Sequence, residues 1–188
     1  MDSIDAVRAL RERLTDELLV TSLGTPSYLV NAAGDRPLNF YLWAAMGMAS
    51  STGLGLAIAQ PKRRVVVVDG DGAALMNLGG MVTVASRAPA NLLWVILENT
   101  VFLETGGQPI ATGRGADLVQ LARGAGIARA ERVISLDGLG ALLDAGLSEP
   151  GPTLVVARVG QDGSKEFPIV DPIRLKHRFR DALGLPVR

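Results

Sequence analysis

The chain contains no cysteine and no excess charge of either sign, and it has no long hydrophobic run. Without a thiol, disulfide scaffolds, thiolate zinc sites, iron–sulfur clusters and cysteine nucleophiles are excluded. Lys+Arg 19 balance Asp+Glu 19, so the clustered positive charge that nucleic acid demands is absent and no nucleic-acid partner is expected. The longest apolar stretches, VVVV at 65–68 and LLWVIL at 92–97, fall far short of the ~20 residues that cross a bilayer. The opening MDSIDAVRALRERL mixes acids and bases where a signal peptide shows a basic start and an apolar stretch. A soluble, cytoplasmic protein with no membrane partner is the expectation.

At 188 residues one domain is expected over 1–188, ending in a helical tail. Ile4, Val7, Leu10 and Leu14 recur at helical spacing behind Ser3, a good N-cap. LLVTS (18–22) reads as a strand, and 39–43 as a short second one. Residues 47–60 form a helix rich in Gly, Ala and Ser that can lie very close to a neighbour. RVVVVDG (64–70) and LLWVIL are runs without alternation, the pattern of strands covered on both faces of a parallel sheet. A helix is predicted over 75–87, a long loop over 99–115, and alternating helix and strand from 117 to 159. Asp171-Pro172 starts a last helix of about three turns. The fold class is α/β: a doubly wound, mostly parallel sheet of about six strands with helices on both faces.

Asp71 sits just past the end of one buried strand, between Gly70 and Gly72, and Asn99 just past the end of the next. A strand–helix–strand crossover between them delivers both side chains to the carboxyl edge of the sheet, where open α/β sheets bind ligands. A carboxylate and an amide are oxygen donors suited to Mg²⁺, with phosphates and water completing its shell. Gly70 and Gly72 admit phosphates close to the backbone, and a helix starting near Ala74 aims its amides at them. The residues alone point to a magnesium-bridged phosphate or diphosphate site. Alone, Asp71 reads equally as a turn acid and Met46 as core. Glu98 and Glu104 read as exposed loop acids, His177 and Arg114 as surface residues, and Gly53 and Gly55 as packing glycines.

GDG followed after about 26 residues by Asn resembles the cofactor motif of thiamine diphosphate-dependent enzymes, in their diphosphate-binding domain. The resemblance implies that Asp71, Asn99 and the main-chain oxygen of Val101 hold Mg²⁺ against thiamine diphosphate, with Gly70, Gly72, Ala73 and Phe102 completing the cofactor-binding set. AAMGMASSTGLGLAIAQP is similar to the family segment in which an apolar residue, here Met46, wedges the cofactor into its V shape while a carbonyl, here Ala44, accepts from the aminopyrimidine. Within the family, NFYLWAAMG, LMNLGG, APANL, TGGQP and DPIRLKHRF resemble the sulfopyruvate and phosphonopyruvate decarboxylases, over about residues 1–185. Ala73 and Glu98 depart from the pattern, standing where many relatives carry Ser and Asn or Asp.

The resemblance implies decarboxylation of a small 2-oxo acid carrying a 3-sulfo or 3-phosphono group. Glu104, Thr105 and Gln108 are its candidate substrate contacts, on a loop walling the thiazolium. It also implies a split enzyme, in which a pyrimidine-binding α-type partner supplies the catalytic Glu. Two other readings stay open: a cofactor-binding subunit without catalysis, and a signalling receiver using Asp69 and Asp71, for which Arg158 stands where a Lys is wanted.

Overall fold

The apolar runs at 65–68 and 92–97 lie side by side at the centre of one parallel sheet. In the computed structural model, which describes residues 1–185, the elements follow in the order α1 (Ser3–Arg11), β1 (Leu18–Thr21), α2 (Thr25–Ala32), β2 (Asn39–Tyr41), α3 (Ala49–Ala59), β3 (Val65–Gly70), α4 (Asp71–Met76), α5 (Leu78–Arg87) and β4 (Leu92–Glu98). A two-residue hairpin, β5 (Val101–Phe102) and β6 (Gln108–Pro109), then precedes α6 (Leu118–Ala125), β7 (Arg129–Val133), α7 (Leu136–Ser148), β8 (Thr153–Arg158) and α8 (Pro172–Ala182). The six-stranded sheet has the order β2-β1-β3-β4-β8-β7, every pair parallel. Residues 186–188, part of the expected domain span, lie outside the described residues.

Alternation within each run shows why the strands are apolar throughout. Val66, Val68, Leu93, Val95 and Val155 pack with α1, α2 and α7 on one face. Val65, Val67, Leu92, Trp94 and Val156 pack with α3, α5 and α6 on the other. Successive side chains point to opposite faces of a strand, so a strand covered twice must be apolar at every position.

The order of strands also creates a gap. After β1 the chain turns into α2, on one face, while after β3 it turns into α4 and α5, on the other. The loops leaving two adjacent strands therefore diverge, opening a crevice at their carboxyl ends.

Four local expectations are corrected. Ser3 is the first helical residue of α1, with Asp2 at the N-cap making no side-chain cap bond. The capping group arrives from far along the chain: Asp162 Oδ2 accepts from Ser3 N at 3.0 Å and from Ser3 Oγ at 2.6 Å. The helix expected over 75–87 divides at Asn77 (φ −134°, ψ 55°), whose side chain accepts from Gly80 N and caps α5. Its first part begins at Asp71, not near Ala74, because extended Gly70 leads straight into the helix. The 99–115 loop is folded, with a hairpin and two 3₁₀ turns, Leu103–Thr105 and Ala111–Arg114. As expected, Asp171 caps α8, accepting from Ile173 N and Arg174 N.

Burial draws the Asp162 carboxyl upward, but the Ser3 hydroxyl and amide outweigh it and hold it below the usual range. A carboxylate with a depressed folded-state pKa contributes stability above its unfolded value, and loses it as pH falls through the folded value. Asp162→Ala is expected to cost about 1 kcal/mol at neutral pH, as loss of a helix cap does. The deficit should shrink in acid, below the folded-state pKa, which thermal melts across a pH series will read.

Candidate active site

A cleft of about 160 Å³, open to solvent, occupies the crevice between the ends of β1 and β3. Its walls are 22–26 after β1, Met46 before α3, Gly70–Ala73 at the β3–α4 junction, and Asn99, 101–105 and Ile110 after β4. Of the residues singled out in the sequence, Met46, Gly70, Asp71, Gly72, Ala73, Asn99, Val101, Phe102, Glu104 and Thr105 all line this one cleft. Ala44 and Gln108 do not. Gln108 turns back into its own hairpin, where Nε2 donates to Thr105 O at 2.7 Å and Oε1 accepts from Thr105 Oγ1 at 2.8 Å.

Asp71 is only 2% exposed. Its Oδ1 accepts from Gly72 N at 3.0 Å, and its Oδ2 accepts from Thr100 N at 3.0 Å and from Thr112 Oγ1 at 2.6 Å. Burial pushes this carboxyl above the ordinary range, against the pull of those donors. Asn99 Oδ1 accepts from Val101 N at 3.0 Å, which turns the chain sharply at the end of β4. Glycine is required at 72, since a Cβ there would lie 2.5 Å from Phe102 Cε1. The loop thus closes directly on the backbone beside Asp71.

The donors facing the cleft are hard oxygens with a single buried carboxylate among them. That set fits Mg²⁺ bridged to a diphosphate, because the phosphates supply the remaining charge. Among the described residues no group of three or more His, Cys, Asp or Glu could hold a metal by protein ligands alone.

Behind the cleft, Asp69 is fully buried and its desolvation pushes the carboxyl up to about 7. Gly70 N donates to its Oδ1 at 3.0 Å, while Oδ2, Ser22 Oγ and Trp94 Nε1 make no complete hydrogen bond.

Glu98 is not the exposed loop acid expected; it is 1% exposed and ends β4. Arg132 grips it with Nε and Nη2 at 3.2 and 3.1 Å, and Arg158 Nη1 approaches at 3.3 Å. Two guanidiniums neutralise this carboxylate. Arg114 is exposed, as expected, whereas His177 is half-buried with an unpartnered Nδ1.

Two positioning residues escaped the sequence reading. Asn77 Nδ2 donates to Gly47 O at 2.9 Å and to Ser51 Oγ at 3.1 Å, which fixes the turn beside Met46. Thr112 lies 41 residues from the carboxylate it binds. Asn before Leu-Gly-Gly was a legible cap signal; nothing local marked Thr112.

A parallel sheet with an oxygen-donor cleft at its switch point defines a doubly wound, ligand-binding α/β domain. The chain belongs to the thiamine pyrophosphate enzyme family: the model of its C-terminal TPP binding domain matches residues 24–157. Among its relatives, sulfopyruvate decarboxylase subunit beta of Methanothermobacter thermautotrophicus is 49% identical over 108 residues, 57% of this chain and 58% of that one. The subunit of the same name from Methanocaldococcus jannaschii is 34% identical over 182 residues, 96% of each chain. Phosphonopyruvate decarboxylase of Streptomyces viridochromogenes is 39% identical over 181 residues, 95% of this chain and 45% of that enzyme. The first and third of these are therefore matched over only about half their length. A benzoylformate decarboxylase from Polynucleobacter necessarius shares the fold, with a TM-score of 0.75 over 87% of this chain and 34% of its own, at 18% identity. Among the described residues no helix is long and apolar enough to cross a membrane.

Proposed function

We propose that this chain is the diphosphate-binding, β-type subunit of a split, Mg²⁺- and thiamine diphosphate-dependent decarboxylase that converts sulfopyruvate to sulfoacetaldehyde and CO₂. The observation that carries the reading is the convergence of Asp71, Asn99 and Val101 with the Gly70–Ala73 turn on one cleft. Asp71 and Asn99 side-chain oxygens and the Val101 carbonyl would ligate the ion. The Gly70–Ala73 backbone would border the diphosphate, and Met46 would support the bend between the cofactor's rings. When bound, the cofactor supplies a carbanion that adds to the ketone and an electron sink for loss of CO₂.

This chain's own residues would bind and orient the cofactor. Phe102 and Ile110 bound the cleft on the side of the folded loop, and Glu104, held by Thr25 Oγ1 at 2.8 Å, bridges its mouth. A carboxylate there repels a dianionic substrate unless a cation faces it, so the sulfonate-binding group is assigned to a partner subunit.

Two features support that partner. The chain spans nearly the whole of a relative named as a subunit and under half of one named as a complete enzyme. Helices α3 and α5 leave Ile58 and Val82 each 56% exposed, and Gly55 and Gly79 face open space. Glycines without neighbours beside exposed apolar side chains let another backbone approach closely, and we assign this surface to a pyrimidine-binding α-type chain carrying the acidic residue that engages the aminopyrimidine. A second reading, phosphonopyruvate as substrate, is favoured by the 39% identity over nearly the whole chain to an enzyme of that name.

Mixing the chain with a candidate pyrimidine-domain subunit should give CO₂ release from sulfopyruvate, with phosphonopyruvate run in parallel, and neither subunit should be active alone. Decarboxylation by this chain as a homomer would overturn the split-site assignment.

A further inference from the structure

We propose that Thr112 is a positioning residue which sets how Asp71 meets its cation and thereby favours Mg²⁺ over larger divalent ions; this rests on the cofactor reading above. A carboxylate oxygen offers about two lone-pair sites. On Asp71 Oδ2 both are taken, by Thr112 Oγ1 at 2.6 Å and Thr100 N at 3.0 Å. Oδ1 carries one bond, from Gly72 N at 3.0 Å. One site therefore remains, on Oδ1, and the carboxylate can serve an ion through a single oxygen only.

That is the mode Mg²⁺ uses at its short, octahedral distances, whereas Ca²⁺ readily takes a carboxylate through both oxygens. Thr112 is held for this task. It is 9% exposed and sits in the Ala111–Arg114 turn. Immediately before it, Ile110 is buried, and its N donates to Thr100 O at 2.8 Å. Both ends of the 100–112 loop thus close on one oxygen atom, and the loop that walls the cleft cannot shift without releasing the metal ligand.

Thr112→Val keeps the shape and removes the donor; Thr112→Ser keeps the donor. Calorimetric titration of the assembled protein with thiamine diphosphate, at stepped Mg²⁺ or Ca²⁺, reads the effect without turnover. The valine variant should need about 10- to 100-fold more Mg²⁺, the range for removing a group that orients a metal ligand. Its Ca²⁺ requirement should change much less, and serine should restore the wild-type Mg²⁺/Ca²⁺ ratio. Far-UV circular dichroism and a thermal melt establish that both variants fold. An unchanged ratio in the valine variant, or a serine variant as impaired as valine, would overturn the proposal while leaving the cofactor reading intact. Wild-type protein that binds thiamine diphosphate with no need of a divalent ion would instead remove the reading and the proposal together.

Discussion

Asp71→Asn is expected to abolish Mg²⁺-dependent binding of thiamine diphosphate and to leave the fold in place. Removing a group that merely orients a metal ligand costs about 10- to 100-fold in affinity, and Asp71 is assigned as a ligand itself and as its only carboxylate, so the loss should exceed that range. The amide presents one oxygen. Turned toward Thr100 N and Thr112 Oγ1 it keeps the loop and offers the ion a nitrogen with no lone pair; turned toward the ion it leaves both donors facing an NH₂ group. In either orientation the NH₂ group faces a buried donor, Gly72 N in the first and Thr100 N with Thr112 Oγ1 in the second. That mismatch costs about 1–3 kcal/mol, so the melting temperature should fall while the fold persists. Calorimetry with the cofactor at saturating Mg²⁺ checks the binding, and an unchanged titration would contradict the ligand assignment.

Gly53→Ala is expected to destabilise the chain, and Gly55→Ala, two residues away on the same helix, is not. A Cβ at position 53 would lie 2.2 Å from Val67 Cγ2, in the middle of β3, whereas at position 55 nothing lies within 4 Å. Val67 is fully buried and packed on both sides along its strand, so neither it nor α3 can give way locally. Overpacking of this kind costs about 1–3 kcal/mol, more than the roughly 0.5–1 kcal/mol of helix preference that alanine gains over glycine. For a chain of this size each kcal/mol shifts the midpoint by about 2–4 °C, so thermal melts of the two variants should move in opposite directions. Equal melts would mean that α3 does not lie against β3 as described.

These results also separate what was readable from what was not. The runs at 65–70 and 92–97 announced strands covered twice because that demand acts at every residue and leaves an unmistakable composition. Asp71 and Asn99 were legible because each follows such a strand directly, and parallel strands share a carboxyl edge. Gly53 and Gly55 were legible together as packing glycines, but composition does not say which side of a helix meets the sheet, and only Gly53 turns out to lie against β3. The division at Asn77 rests on a local cap, its side chain accepting from Gly80 N, which the Asn-Leu-Gly-Gly spacing signalled and the reading passed over, and α4 starts at Asp71 because extended Gly70 leads directly into it.

By itself the amino-acid sequence determined the fold class, the edge of the sheet at which chemistry collects, and the oxygen donors gathered there, because these follow from periodicity and from residues adjoining the strands. Only the tertiary structure decided that Glu98 is buried between two arginines, that Gln108 turns away from the cleft, that Asp162 caps a helix at the other end of the chain, and that Thr112 takes up an oxygen of Asp71. Each of those depends on where the ends of non-adjacent segments meet in space, and a pairing across dozens of residues leaves no periodic trace in the chain that makes it.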